Sequence, residues 1–165
     1  MKYYLKIFII YSILGFILET TIKTIFHSNM INGILNGPWI PIYGIGVCII
    51  ISIMRLIFNR IEVNKIIKVI LLFLISTIVL TLLEYITGNL IAYTTGKILW
   101  DYEQLKFHYG HFISLEISLI WGVMSLIVTY IIKPIIDKFI DKIPDYIIYI
   151  TSSIYLIDII ITLIY

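Results

Sequence analysis

Charge is scarce in this 165-residue chain. Asp, Glu, Lys and Arg make up 13% of it, whereas 61% is hydrophobic and the mean hydropathy is +1.05. Soluble domains are about 45–50% apolar and about 25% charged, so the chain lacks the polar residues that would cover a water-soluble surface. Disorder is excluded as well, because disordered chains are poor in apolar residues and rich in charge. The composition predicts an integral membrane protein.

Several features that would indicate other functions are also missing. With one cysteine, Cys48, the chain has no intrachain disulfide. Its twelve Lys and Arg residues are dispersed and the net charge is only +2, which argues against a nucleic-acid partner. No Gly-x-x-x-x-Gly-Lys-Ser/Thr loop occurs, so the chain has no P-loop for ATP. No small-residue cleavage site follows the first apolar run, which we therefore expect to remain as a span.

Five apolar segments are long enough to cross a bilayer. A spanning helix needs about 20 mostly apolar residues, and open strand edges cannot be satisfied in lipid. We therefore predict an all-α, polytopic membrane protein with a single transmembrane domain over residues 1–165. The five transmembrane helices are predicted at Tyr4–Phe26, Trp39–Phe58, Lys68–Tyr93, Phe112–Ile132 and Tyr146–Tyr165.

The basic residues are divided unevenly among the connections between the spans. If the N-terminus is cytoplasmic, nine lie on the inner side, and only Lys23, Lys97 and Lys106 lie outside. Because cytoplasmic loops are usually the more basic, we predict a multi-pass protein of the cell membrane with its N-terminus inside and its C-terminus outside. The inner connection over residues 134–144 has one apolar helical face between two prolines. It predicts a short amphipathic helix on the cytoplasmic surface, with a solvated linker as the alternative.

The first four spans read as one helical hairpin used twice. Spans one and three each carry a glutamate near their outer end, Glu19 and Glu84, and spans two and four each begin soon after a glycine. Both pairs of spans run out and back. The pattern predicts two parallel-repeat helical hairpins plus a fifth helix.

Four acids fall in the predicted outer half of the membrane: Glu19, Glu84, Glu116 and Asp158. Ionisable groups at this depth usually face the bundle interior or a watery cavity, so we predict one acidic, outward-facing substrate pocket. Glu19 could instead pair with Lys23 one turn away, and Glu116 could meet His108 or His111. Glu84 and Asp158 have no cation within one turn, so each needs a partner on another helix, a bound cation or a proton.

Two further features concern ligands. The segment Asn36–Gly46 opens span two with Pro38 and Pro41, which suit a first helical turn, and its free N–H groups suit an anion. Tight packing without a ligand is the alternative. His27, His108 and His111 could join carboxylates around a divalent metal. Their spacing matches no metal motif, so we interpret them as interfacial residues and predict no metal or other cofactor.

Longer motifs support a family assignment. Gly15-x-x-x-Glu19, Gly33-Ile-Leu-Asn-Gly-Pro-Trp-Ile-Pro-Ile-Tyr-Gly-Ile-Gly46, Leu83-Glu-Tyr-Ile-Thr-Gly88, Trp100-Asp-Tyr102, Gly110-His-Phe-Ile-Ser-Leu and Ser118-Leu-Ile-Trp-Gly122 together resemble the ABC-transporter permease family called type IV, or CmpB-like. Asn32 stands where many relatives have arginine. To the four acids we add Pro38, Pro41, Tyr43, Trp100 and Asp101 from these motifs as candidate substrate-binding residues.

The resemblance implies transport. Our first hypothesis is a permease, or a permease subunit, for a small solute or lipid-like molecule. A separate ATPase would dock on the cytoplasmic face through residues 134–144, and the small volume of five spans suggests a homo-oligomer. The alternatives are a non-transporting accessory or sensor protein whose acids hold the bundle together, and a small intramembrane enzyme that uses the carboxyls as acid and base.

Overall fold

The computed structural model describes residues 2–26, 33–60 and 62–164, and the predicted features at His27 and Asn32 lie outside these residues. Among these described residues, five helices, counting Leu115–Ile140 as one, are long and apolar enough to cross a membrane. Between the third and fourth of them lie two short antiparallel strands, β1 (His108–Tyr109) and β2 (Ile113–Ser114). The helical elements are α1 (Lys2–Phe26), α2 (Pro41–Arg60), α3 (Lys65–Thr95), α4 (Leu115–Ile127), a π-helical turn (Val128–Ile132), α5 (Lys133–Ile140) and α6 (Asp145–Ile164). The predicted all-α, polytopic architecture is confirmed.

The spanning helices expose large apolar side chains. Ile66 and Ile78 on α3 are 70% and 60% exposed, and Leu156 on α6 is 59% exposed. Water would disfavour so many exposed isoleucine and leucine side chains, whereas the hydrocarbon of a bilayer accommodates them. The outer faces of these helices therefore suit contact with lipid.

Local signals set the ends of α3 and α4. Asn64 caps α3 by accepting a hydrogen bond from the Ile67 N–H at 2.8 Å. Gly96 ends this helix with a left-handed φ of 68°, which a glycine adopts without strain, and donates its N–H to the Ala92 carbonyl. Ser114 caps α4 through the Ile117 N–H. With 31 residues, α3 is longer than the span predicted over Lys68–Tyr93.

The amphipathic segment predicted over residues 134–144 is not a separate helix. It continues α4 through the π-helical turn and ends at Ile140, before Pro144. Pro134 has no N–H to donate to the carbonyl of Tyr130, and its ring would clash there in an α-helix. The wider turn, in which the Lys133 N–H donates to the Val128 carbonyl, accommodates this proline without ending the helix. The position of residues 134–144 on a membrane surface stays a prediction.

The chain divides into two compact units, Met1–Ile45 with Ile136–Tyr165, and Gly46–Ile135. In the first unit, the Tyr155 ring packs against Phe8 and Trp39 at centroid distances of 5.5 and 5.2 Å. In the second, α3 packs along α4, where Gly122 lies against Phe73 and Thr77. Each unit therefore has its own core.

Polar contacts tie the start of α1 to the connection between α5 and α6. Lys2 and Lys6 pair with Asp145 at 2.7 and 3.2 Å. Lys6 also donates to the carbonyls of Ile140 and Ile143, and the Tyr3 hydroxyl donates to Asp137. These bonds satisfy carbonyl groups at the end of α5, so the segment is fixed within the first unit.

Candidate functional site

Glu19 lies on α1 and faces Tyr43 of α2. The Tyr43 hydroxyl donates a hydrogen bond to Glu19 Oε1 at 3.0 Å. Gly15, one turn before the glutamate, makes this approach possible, because a Cβ there would collide with the Tyr43 ring. Among the described residues of α1, Glu19 and Lys23 form no ion pair. The pairing that the sequence left open is therefore replaced by a contact between two helices.

Asp158 of α6 binds the segment that precedes α2. It is 8% exposed, and one of its oxygens accepts from the backbone N–H and side-chain amide of Asn36 at 3.2 and 3.1 Å. The other oxygen accepts from the Gly37 N–H at 2.9 Å and from Trp39 Nε1 at 2.7 Å. Four donors satisfy this carboxylate without a basic partner. Asp158 therefore binds residues 36–39 to the fifth spanning helix, α6.

The predicted anion-binding backbone at the start of α2 is thus bound by the chain's own carboxylate. The backbone N–H of Trp39 donates to the Gly37 carbonyl at 2.9 Å. This bond places Pro38 at the centre of a three-residue turn. Pro41, not Pro38, is the first residue of α2, the position where a missing N–H costs nothing. Both prolines shape the chain that Asp158 holds.

Glu84 lies on α3 and is only 5% exposed. Its two oxygens accept from different neutral donors, the Tyr102 hydroxyl at 2.5 Å and Trp121 Nε1 at 2.7 Å. Within residues 2–26, 33–60 and 62–164, no basic side chain forms an ion pair with it. A carboxylate can accept about four hydrogen bonds, so Glu84 has acceptor capacity beyond these two donors.

Glu116 lies in the first turn of α4, and Trp100 lies in the connection before this helix. Glu116 accepts from the Ser114 hydroxyl at 2.7 Å and from the Phe107 N–H at 3.2 Å, so it braces the start of α4. In the described part of the chain, neither His108 nor His111 pairs with it. The Trp100 and Phe112 rings pack edge-to-face with centroids 5.8 Å apart, and the buried Trp100 Nε1 has no hydrogen-bond partner among the described residues.

Asp101 contacts His111, which lies at the tip of the β1–β2 hairpin. His111 Nδ1 lies 3.2 Å from Asp101 Oδ1 and 3.4 Å from Glu103 Oε1. The Glu103 backbone N–H donates to Asp101 at 3.0 Å, and this bond together with the His111 imidazole holds the pKa of the Asp101 carboxyl below its usual value. The loop therefore brings two carboxylates and an imidazole together.

The two hairpins hold their glutamates by matching contacts. We call α1 with residues 33–45 hairpin A, and α3 with residues 96–127 hairpin B. In hairpin A, Gly44 of α2 lies against Phe8 and Ser12 of α1, and Glu19 follows Ser12 by seven residues. The aromatic residue before this glycine, Tyr43, donates to the glutamate.

Hairpin B repeats this arrangement. Gly122 of α4 lies against Phe73 and Thr77 of α3, and Glu84 follows Thr77 by seven residues. The aromatic residue before this glycine, Trp121, donates to the glutamate. The contacts therefore support the predicted repeat of one hairpin, in a register that the sequence motifs did not reveal.

Three aromatic donors to the acids are absent from the predicted site: Trp39, Tyr102 and Trp121. A signal for them exists, because buried tryptophan and tyrosine usually need a hydrogen-bond acceptor, and buried acids in apolar helices need donors. Within each unit, the acids are held by separate donor sets. That all four acids face one pocket stays a prediction.

Comparison with known proteins identifies the family of this chain. The sequence model of a family described as "Putative ABC-transporter type IV" (ABC_trans_CmpB) matches residues 6–165, essentially the whole chain. The chain belongs to this family. Searches of curated proteins and of solved structures each found no matching protein. As a member of the type IV ABC-transporter family with five apolar spanning helices, the chain is a multi-pass membrane protein of transporter type, and the resemblance of its motifs is confirmed.

Proposed function

We propose that this protein is the membrane-embedded permease subunit of a transporter, and that it binds a small solute or lipid-like molecule through carboxylates near the loop ends of its hairpins. Family membership and the five spanning helices support a transport role. The acids favour a ligand that carries hydrogen-bond donors or positive charge.

Glu84 carries this proposal. A carboxylate buried in an apolar helix is costly to keep in a membrane, and such groups usually have a functional role. Two neutral donors hold Glu84, and no described basic residue pairs with it. A cationic or hydrogen-bonding ligand would supply the missing partner. Glu19, with one described donor, is the corresponding group of hairpin A.

The energy source would be a separate ATPase, because the chain contains no P-loop. We expect it to dock on the side of α5, where Phe139 is 55% exposed and Lys138 is also exposed. On this proposal the N-terminus lies in the cytoplasm, as the distribution of Lys and Arg predicts. We further expect more than one copy of the chain in the assembly, since five helices enclose little volume.

Asp158 favours a second candidate, a non-transporting accessory or sensor protein. Its carboxylate is satisfied by four donors from residues 36–39, which is the arrangement of a structural tie. If Glu84 had only such a role, the acids of this chain would serve folding and not ligand binding.

A ligand screen on Glu84→Gln tests the choice between these two functions. The full chain is purified in detergent, and its thermal unfolding midpoint is measured with a panel of cations, small solutes and lipids. A bound ligand raises the midpoint of the wild type, and the proposal expects this rise to disappear in Glu84→Gln while the folded yield stays near normal. Glu62→Gln, which alters an exposed acid outside the spans, is the matched control and should keep the rise.

Two outcomes contradict the permease proposal. In one, Glu84→Gln lowers the folded yield several-fold with no ligand effect in the wild type, which favours the accessory role. In the other, Glu84→Gln and Glu62→Gln respond equally to every ligand. A reporter fused to each terminus tests the orientation separately, with the C-terminal reporter expected outside the cytoplasm.

A further inference from the structure

The loop between α3 and α4 gathers three possible metal ligands. Asp101, Glu103 and His111 each offer one ligand atom, and these atoms lie within 4.8 Å of one another. His111 Nδ1 is 3.2 Å from Asp101 Oδ1 and 3.4 Å from Glu103 Oε1. The two carboxylates come from one turn, and the imidazole comes from the tip of the β1–β2 hairpin, so the loop's fold assembles the group.

The backbone that carries these residues is anchored. The Tyr102 N–H, between the two acids, donates to the His111 carbonyl at 2.9 Å and ties the turn to the hairpin. Phe112, next to the histidine, is buried and packs at Gly88 of α3, where any Cβ would collide with its ring. The turn and the hairpin therefore hold the three residues near one another along the backbone, which lowers the entropic cost of closing their side chains on an ion.

Two carboxylates converge on one nitrogen of His111. The imidazole Nδ1 carries at most one proton, and a single N–H points well at only one of the two carboxylate oxygens. In the part of the chain that the structure describes, no lysine or arginine forms an ion pair with Asp101 or Glu103. Two adjacent negative charges that share one nitrogen leave a position suited to a cation.

We propose that Asp101, Glu103 and His111 bind a divalent transition-metal ion such as Zn²⁺ or Mn²⁺. Ligands at about 2.1 Å from zinc lie roughly 3.0–3.4 Å apart for angles between 90° and tetrahedral, and the two separations from His111 match this range. The imidazole favours zinc over Ca²⁺ and Mg²⁺, which prefer oxygen ligands, and the two carboxylates also suit Mn²⁺. The three side chains are exposed or half-buried, so the ion would reach them from solvent. This inference does not depend on the proposed transport function.

Direct binding to the purified full chain tests the proposal. The protein carries an affinity tag without histidine, is treated with a chelator and dialysed, and is then titrated with Zn²⁺ against a competing metal dye. Mn²⁺ binding is read independently from the loss of the free-ion electron paramagnetic resonance signal. We expect one ion per chain, and a loss of affinity of about tenfold or more in Asp101→Asn and His111→Gln, because even outer-shell changes typically cost 10–100-fold.

Two matched variants control for local charge and for general effects of substitution. His108→Gln changes the other histidine of the loop, whose Nδ1 faces the Gly110 carbonyl, and Glu62→Gln changes an exposed acid elsewhere. Both should bind zinc as the wild type does, and 1 mM Ca²⁺ should not displace it. Absence of stoichiometric binding, equal losses in His108→Gln and His111→Gln, or displacement by Ca²⁺ would each overturn the assignment. Circular dichroism of every variant verifies that the helices are intact.

Discussion

Hairpins A and B each hold their glutamate by an aromatic donor that precedes a glycine, but they fix the start of their second helix differently. In hairpin B, Ser114 caps α4, and the Glu116 carboxylate in the first turn accepts from the Ser114 hydroxyl. In hairpin A, the equivalent segment is bound by Asp158, which comes from α6. Hairpin B is therefore built from its own residues, whereas hairpin A needs the fifth spanning helix.

This difference indicates a structural role for the fifth spanning helix, α6. A repeat of two hairpins has no evident need for a further span, but the N–H groups before α2 must find acceptors. The Asp158 carboxylate supplies the acceptors for Asn36 and Gly37, and it also accepts from the buried Trp39 indole. Residues 36–39, the most distinctive part of the sequence, thus depend on a residue about 120 positions later.

The largest expected effect tests this dependence. Asp158→Ala leaves the donors of Asn36, Gly37 and Trp39 without their acceptor, and each unsatisfied buried donor costs roughly 1–3 kcal/mol. We expect a loss of about 3 kcal/mol in the free energy of unfolding and a strong fall in folded yield. Ser114→Ala, the matched change in hairpin B, should cost only about 1 kcal/mol. Chemical unfolding in detergent, followed by tryptophan fluorescence, measures both. Equal losses would show that the two helix starts do not differ.

The second effect concerns the two glycines. A Cβ at Gly44 would meet the Phe8 backbone carbonyl and the Ser12 hydroxyl, whereas at Gly122 it would meet the side chains of Thr77 and Phe73. Side chains can move aside but a helix backbone cannot, so Gly44→Ala should cost about 2 kcal/mol and Gly122→Ala about 1 kcal/mol.

Gly46→Ala is the control for the two glycine variants. Its nearest neighbour would be a methyl group of Leu80 at 3.3 Å, which can shift, and alanine is the better helix former. We expect no loss of stability from this change. If Gly122→Ala is the more damaging of the two hairpin variants, the assignment of the backbone contact to hairpin A is wrong.

The smallest effect separates the two glutamates. Glu84→Gln keeps one good acceptor for two donors and should cost about 1 kcal/mol, in the range measured for hydrogen bonds between membrane helices. Glu19→Gln keeps an oxygen for its one described donor, Tyr43, and should cost less than half as much. The same unfolding measurement resolves the order. A larger loss for Glu19→Gln would contradict the assignment of two donors to Glu84 and one to Glu19.

Sequence reasoning located the five spans to within a few residues at most ends, because hydropathy is a local property that each segment carries by itself. It failed where a tertiary or backbone adjustment intervened. The two prolines predict a separate helix over residues 134–144, yet the π-helical turn allows the preceding helix to continue through Pro134. The spacing along the chain also does not indicate that folding of the loop brings His111 to Asp101 and Glu103. The interfacial position of His111 stays a prediction.

By itself, the sequence determined the membrane class, the number of spans, the duplicated hairpin and the family, since composition, run length and motif are all read along the chain. Only the tertiary structure decided which donors meet each acid. Spacing along a helix states which residues share a face, but not how that helix is rotated toward its neighbours. Asp158 reaches Asn36 and Trp39, and Glu84 reaches Trp121, through packing between helices that are distant in sequence.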